Sequence, residues 1–305
     1  APENIGRVQR IDDGLGRYME FAKTTFPRGR LLEGMKVVID CANGAAYKAA
    51  PTVLWELGAD VIPVGVTPDG FNINEGCGST SPQAAAQAVI QHKADVGICL
   101  DGDADRIIMI DENGAVADGD QIMGLIAGRW CDQGALAHDT LVATVMSNMG
   151  LEKHLGRRGI RLLRTDVGDR HVVQAMRKGR YNLGGEQSGH IVMSDYVTTG
   201  DGLIAGLQFL NAMMESNQPA SALAHVFTPY PQLLENIRYT DTDPLEAASV
   251  KAAIAEGEAA LQANGRLLIR KSGTEPLVRV MGECEDAGLL RRVVGDIAEA
   301  VKAAA

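Results

Sequence analysis

A chain of 305 residues has room for two or more domains with sizeable buried cores, and 46% hydrophobic with 22% charged residues excludes disordered, collagenous and low-complexity architectures. A net charge of −10 disfavours a nucleic-acid coat or an anionic-membrane binder, so any anion site must be a local concentration of cations. Five scattered cysteines (Cys41, Cys77, Cys99, Cys131, Cys284) without CxxC spacing support neither a disulfide framework nor a zinc site and suit a reducing cytoplasm, and no signal peptide or bilayer-length apolar run occurs.

In chain order, Met35–Asp40 reads as a buried strand. A helix follows around Tyr47–Leu57, then a strand over Asp60–Val66, an Ala-rich helix from Ser81 to about Ala94 and a strand over Asp95–Leu100. This βαβαβ order predicts a mainly parallel sheet covered on both faces, with ligand chemistry at the carboxyl ends of its strands. Ile107–Asp111 is a further strand, turned by Glu112-Asn113-Gly114 and followed by a helix from about Asp120 to Trp130. The grammar then repeats, with strands over Thr140–Met146 and Arg161–Thr165 and helices near Leu151–Leu155, Asp169–Lys178 and Gly202–Met214. After Pro229–Pro231 the pattern changes. A strand (Glu235–Thr240), a long helix (Leu245–Leu261), two strands (Leu267–Arg270, Leu277–Gly282) and a last helix (Gly288–Lys302) read as a smaller α+β domain. The expected fold class is therefore α/β: two related α/β domains (1–115 and 116–230) followed by an α+β domain (231–305).

Three loops carry the chemistry. The first, Asp101-Gly102-Asp103-Ala104-Asp105-Arg106, places three carboxylates on alternate residues after a buried strand. Such crowding is costly without a hard divalent cation, Mg²⁺ above all; the alternative is a solvated acidic turn. An EF-hand fails, because its sharp-turn sixth position is Arg106 and its flanks are strands. Arg106 beside the acids points to a phosphate shared with the metal. The second loop, Gly184-Gly185-Glu186-Gln187-Ser188-Gly189-His190, offers a carboxylate and a hydroxyl for sugar hydroxyls, and an imidazole able to move a proton near neutrality; a plain glycine-rich hairpin is the alternative. The third, Arg270-Lys271-Ser272-Gly273-Thr274-Glu275-Pro276 with Arg279 on the next strand, gathers cations, hydroxyls and turn amides as a phosphate cradle would, or as an ordinary hairpin turn with solvated cations. One such loop per predicted domain points to a sugar phosphate held between domains.

In this order the three loops resemble those of the α-D-phosphohexomutase superfamily, and the similarity covers essentially the whole chain. Asn72-Ile-Asn-Glu-Gly-Cys-Gly-Ser-Thr80 and Gln187 resemble the branch acting on glucosamine phosphate, rather than those acting on mannose or glucose phosphates. The resemblance implies four domains, of which these residues are the last three, so the chain is expected to be truncated. It implies Mg²⁺ on Asp101, Asp103 and Asp105, and Arg106 beside a phosphoserine. Sugar hydroxyls would lie on Glu186 and Ser188, and His190 near the reacting oxygen. The distal phosphate would lie on Arg270, Ser272, Gly273, Thr274 and Arg279, with Gly168 and Arg170 on a further substrate loop. The implied reaction interconverts glucosamine 6-phosphate and glucosamine 1-phosphate through a phosphoserine and a bisphosphate, a step toward cell-wall amino sugars. The serine of that motif precedes a histidine, and no Ser-His pair occurs in this sequence, so these residues alone are expected to be inactive. A mutase for mannose or glucose phosphates and a non-catalytic sugar-phosphate module are the alternatives. A nicotinamide dehydrogenase fails for want of a GxGxxG after a strand.

Overall fold

The computed structural model describes residue 6 and residues 10–240, 243–272 and 275–305. After helix α1 (Gly14–Thr24), the first sheet is assembled from β1 (Lys36–Asp40), β2 (Asp60–Val64), β3 (Val96–Leu100), β4 (Ile107–Asp111) and β5 (Val116–Ala117), with α2 (Ala49–Glu56) and α3 (Gln83–His92) as crossovers. Its order is β2-β1-β3-β4-β5. β1 is parallel to both neighbours, so the chain leaves it to one side for β2 and returns on the other as β3. That reversal opens a crevice at the carboxyl ends of β1 and β3. β4 is antiparallel to β3, because the loop from Asp101 to Arg106 is too short for the crossover that a parallel strand needs. The sheet is thus parallel at its centre with an antiparallel flank, and β3 (VGICL), buried at every position, is apolar on both faces as such a strand must be.

The second block comprises α4 (Gly119–Asp132), β6 (Thr140–Thr144), α5 (Met149–Arg157), β7 (Arg161–Thr165), α6 (Asp169–Gly179), β8 (Leu183–Gly185), β9 (Ile191–Met193), α7 (Gly202–Ser216) and α8 (Ala220–Leu223). Its sheet has the order β7-β6-β8-β9, again parallel except at the β8–β9 hairpin. The alternation of strand and helix suggests two self-contained units, but the structure joins them. α7 is buried at every residue from Gly202 to Met213, and α4 at ten consecutive residues from Gly119 to Gly128. Helices buried all round belong between layers. One continuous core accordingly runs from Ile39, Ile98 and Met109 of the first sheet through Ile122, Leu203 and Leu207 to Leu141 and Ile191 of the second.

The third sheet, β10 (Gln232–Arg238), β11 (Gly265–Lys271) and β12 (Leu277–Cys284) in the order β10-β12-β11, is antiparallel throughout. Helices α9 (Ala248–Leu261) and α10 (Ala287–Ala304) close a separate core over Val278, Val280 and Cys284. The opposite face turns to the second block. There Glu283, fully buried, accepts from Arg266 Nε at 2.5 Å, Gln232 Nε2 at 3.0 Å and the Met149 N–H at 3.2 Å, while Arg266 donates to the Ser147 carbonyl at 2.8 Å.

At the start of α4, Asp120 is fully buried and accepts the Asn148 N–H at 2.7 Å. Burial above all, then the neighbouring Asp118 carboxylate, pushes its carboxyl up to about 7, against the Asn148 N–H, the Ser147 hydroxyl and Arg164. The folded protein therefore holds a proton there that the unfolded chain releases at lower pH, so this group's contribution to stability falls as pH rises through the interval between the two values and levels off above about 7. Asp120→Asn keeps an acceptor without the charge. Melting temperatures of the two proteins should draw together as pH falls toward the free carboxyl value of 3.8 and lie furthest apart above about 7, with the variant higher; parallel curves would refute this account of the buried charge.

Candidate active site

The loop between β3 and β4 is tight: Ala104 takes a left-handed φ of 64°, and its N–H bonds to the Asp101 carbonyl at 3.0 Å. The oxygens of Asp101, Asp103 and Asp105 thereby converge, lying within 4.8 Å of one another. Asp101 is buried, and its Oδ1 accepts the Arg106 N–H at 3.0 Å; burial, with the charges of Asp105 and Asp103, drives its carboxyl above the usual range despite that bond. Asp105 Oδ1 is also buried and has no hydrogen-bond partner. A solvated acidic turn would not strand a carboxylate oxygen in this way. Three hard oxygen donors, one of them without a hydrogen bond among the described residues, fit Mg²⁺, and Arg106 Nε lies 3.7 Å from Asp101 Oδ2 and 3.8 Å from Asp105 Oδ1.

One residue that sequence reasoning passed over sets this loop. Asp40 ends the apolar strand β1, fully buried, with its carboxylate on the N–H groups of Ala42 (2.9 Å) and Gly78 (2.7 Å). It ties the β1 loop to the segment Asn72–Thr80, whose Ser79 N–H in turn bonds to the Leu100 carbonyl at 2.9 Å, next to Asp101. A lone carboxylate closing a hydrophobic strand was the signal available.

Glu186 to Gly189 form the turn of the β8–β9 hairpin. The turn docks against β4: the Ile107 N–H bonds to the Gly189 carbonyl at 3.1 Å, and Arg106 and His190 form an isolated bridge. Gly189 has φ 96°, and a Cβ there would stand 2.0 Å from the Ile107 carbonyl oxygen, so only glycine fits. Glu186 Oε1 accepts the Gly168 N–H at 2.9 Å, which brings in the loop before α6 and leaves Oε2 with only the long 3.4 Å contact from the exposed Ser188 hydroxyl. Arg170, grouped with Gly168 by sequence, is exposed and turns to His171 Nε2 at 3.3 Å.

His190, expected beside a reacting oxygen, is 4% exposed with both ring nitrogens engaged. Nε2 accepts the Gly200 N–H at 3.2 Å, so in the neutral ring the proton sits on Nδ1, 3.0 Å from Asp105 Oδ2. The ring spans from the second block to a carboxylate of the first, which alternation and spacing along the chain could not reveal.

On the third sheet, Arg270 and Arg279 are direct cross-strand partners, on the face that also carries Arg266 and Glu283. Like charges directly opposite are destabilising, and among the described residues neither arginine forms an ion pair, while Arg279 Nε is buried without a partner. Lys271 is neutralised by Asp243 at 2.8 Å. Ser272 follows, its N–H on the Leu277 carbonyl at 2.9 Å; Gly273 and Thr274 lie outside the described residues.

Comparison with known proteins agrees with this architecture. Family models of phosphoglucomutase/phosphomannomutase match as alpha/beta/alpha domain II over residues 17–114, alpha/beta/alpha domain III over 118–230 and the C-terminal domain over 234–300. The phosphoglucosamine mutase of Dinoroseobacter shibae is 68% identical over 302 residues, covering 99% of this chain and 68% of that protein; the phosphoglucosamine mutase of Paracoccus denitrificans is 66% identical over the whole chain and 68% of its own length. Among solved structures, a phosphoglucomutase/phosphomannomutase family protein of Burkholderia thailandensis matches with TM-score 0.79 at 21% identity, over 97% of this chain and 65% of that one. N-acetylphosphoglucosamine mutase of Aspergillus fumigatus, in complex with GlcNAc-6P and magnesium, matches with TM-score 0.71 at 22% identity, over 93% of this chain and 70% of that one. Three sheets bearing one loop of the site each, matched in order by three consecutive family domains, establish that the chain belongs to the phosphoglucomutase/phosphomannomutase family.

Proposed function

We propose that the whole protein is a phosphohexomutase interconverting glucosamine 6-phosphate and glucosamine 1-phosphate, and that these residues provide its metal, sugar and distal-phosphate loops. The observation that carries the reading is the join between Asp105 and His190, which makes a three-carboxylate cluster and a hydroxyl-reading turn into one surface. The identity to phosphoglucosamine mutases supports the amino-sugar substrate.

Asp101, Asp103 and Asp105 would hold Mg²⁺, which when bound spreads the negative charge developing on a transferring phosphoryl group. Arg106 would stand against the same phosphate. Glu186, through the Oε2 that carries only the long Ser188 contact among the described residues, and Ser188 would bond to sugar hydroxyls, with Gly168 fixing Glu186. Arg270 and Arg279, with Ser272, Gly273 and Thr274, would take the phosphate that is not reacting; a dianion relieves the repulsion between the paired guanidiniums. In the whole protein a phosphoserine outside these residues gives its phosphoryl group to the free sugar hydroxyl. The serine O–P bond breaks as the sugar O–P bond forms, and the proton of the sugar hydroxyl ends on the released serine oxygen. The resulting bisphosphate then turns over and returns its other phosphate to the serine. A sugar bound in two orientations requires a distal loop that accepts either end, which accounts for placing that loop on a separate sheet.

Titration calorimetry of the 305-residue chain with Mg²⁺ should show weak binding that Asp103→Ala abolishes; unchanged binding in the variant would remove the metal assignment. Arg270→Ala should weaken inorganic phosphate about ten- to a hundredfold in an NMR titration at fixed salt, the loss of a charge-assisted contact of ~1.5–3 kcal/mol. Equal affinity in both proteins would place the anion elsewhere. In a coupled assay primed with the bisphosphate, the 305 residues should give no turnover and a chain extended upstream should, on glucosamine phosphate in preference to mannose or glucose phosphate. Activity of the shorter chain would overturn the phosphoserine step.

A further inference from the structure

The segment joining the second block to the third sheet, Phe227 to Pro231, belongs to no strand or helix and is held by side-chain amides. Gln121 accepts the Phe227 N–H on Oε1 at 3.3 Å and donates from Nε2 to the Phe227 carbonyl at 2.9 Å. Asn148 treats Tyr230 identically, accepting its N–H on Oδ1 at 2.9 Å and donating from Nδ2 to its carbonyl at 3.0 Å. Each carboxamide thus copies the two-point exchange of an antiparallel residue pair, which needs one donor and one acceptor side by side; a carboxylate or a hydroxyl cannot supply both in that geometry. Lys153 Nζ lies 5.1 Å from the centre of the Tyr230 ring. The segment fits closely: a Cβ on Gly150 would meet the Thr228 carbonyl oxygen at 2.7 Å.

Both clamps grow from one place. Asn148 caps α5, its Oδ1 also accepting the Gly150 N–H at 2.8 Å, and its own N–H is held by Asp120 in the first turn of α4. Gln121 sits in that same turn, where its N–H bonds to Asp118 Oδ1 at 3.2 Å. The Gly119 N–H bonds to the Gln187 carbonyl at 3.0 Å, so this turn grips the sugar-reading hairpin as well. Past the clamp, the Pro231 carbonyl accepts the Cys284 N–H at 3.2 Å, which ties the linker to β12, the strand of Arg279.

We propose that Asn148, seconded by Gln121, is a positioning residue for the distal phosphate: by pinning the linker to the helix turn that holds the sugar hairpin, it fixes where Arg270 and Arg279 stand relative to Glu186 and Ser188. This rests on the reading of the site given above and adds a separate requirement. Neither residue touches the ligand. A ligand spanning the two loops depends on their separation, whereas one bound by a single loop does not. The clamp should therefore matter for a sugar phosphate and be silent for Mg²⁺ and for inorganic phosphate.

Asn148→Ser keeps a cap for α5 and is too short to reach both polar atoms of Tyr230; Gln121→Met removes the second clamp away from any helix cap, and serves if the first variant melts early. For each, affinities for Mg²⁺, inorganic phosphate and glucosamine 6-phosphate are measured by calorimetry. The expected result is unchanged Mg²⁺ and phosphate affinity with glucosamine 6-phosphate weakened about tenfold, and a smaller loss in Asn148→Asp, which retains one arm of the clamp. Equal glucosamine 6-phosphate affinity in wild type and variants would overturn the positioning role alone, as would a parallel loss for all three ligands, which marks general destabilisation. Wild type binding glucosamine 6-phosphate no better than phosphate would overturn the functional reading beneath it.

Discussion

The site depends on the contact made where the two α/β blocks meet, the hydrogen bond between His190 Nδ1 and Asp105 Oδ2. It joins the turn of one hairpin to the loop of another. The backbone secures it on both sides, through the Arg106–His190 bridge and the Gly200 N–H on Nε2. A Cβ on Gly200 would stand 2.6 Å from the imidazole, so the ring, the glycine and the carboxylate are mutually required. Fixing the ring also fixes which Asp105 oxygen it takes; the other, Oδ1, is buried without a hydrogen bond among the described residues and faces Arg106 Nε at 3.8 Å.

That contact holds because the layers behind it are rigid. α7 begins directly after Gly200, and Asp201 caps it, accepting the Ile204 N–H at 2.9 Å while also receiving the Tyr18 hydroxyl of α1 at 3.0 Å. α4 begins on the other side of the hairpin. Two helices buried between the sheets thus start at the site and run away from it, each with its N-terminal N–H groups met by an aspartate. Displacing either loop would strand these buried polar groups, at a cost on the order of 1–3 kcal/mol each.

The arginines of the third sheet separate by partner into two kinds. Arg266 lies against Glu283, fully buried, and donates to Ser147 of the second block, so its charge is consumed in attaching the sheet. Arg270, four residues on along the same strand face, sits opposite Arg279 and forms no ion pair among the described residues. In a chain of net charge −10, such a repulsive cationic pair is a local feature that an anion would relieve.

Sequence determined much of this. Apolar runs such as Val96–Leu100 and the turn residues between them specify strands and crossovers locally, and the three loops stand out because carboxylates, glycines and cations cluster within a few residues, where intrinsic chemistry suffices to read them. Much of what the sequence left undecided depends on partners far along the chain. The contacts of His190 with Asp105 and of Asn148 with Tyr230 each join residues more than eighty positions apart. Helix α7 reads as part of the second block, yet its side chains pack into a core shared with the first sheet. Spacing along the chain encodes what a residue can donate or accept; only tertiary packing decides which of those groups are spent on structure and which remain free for a ligand.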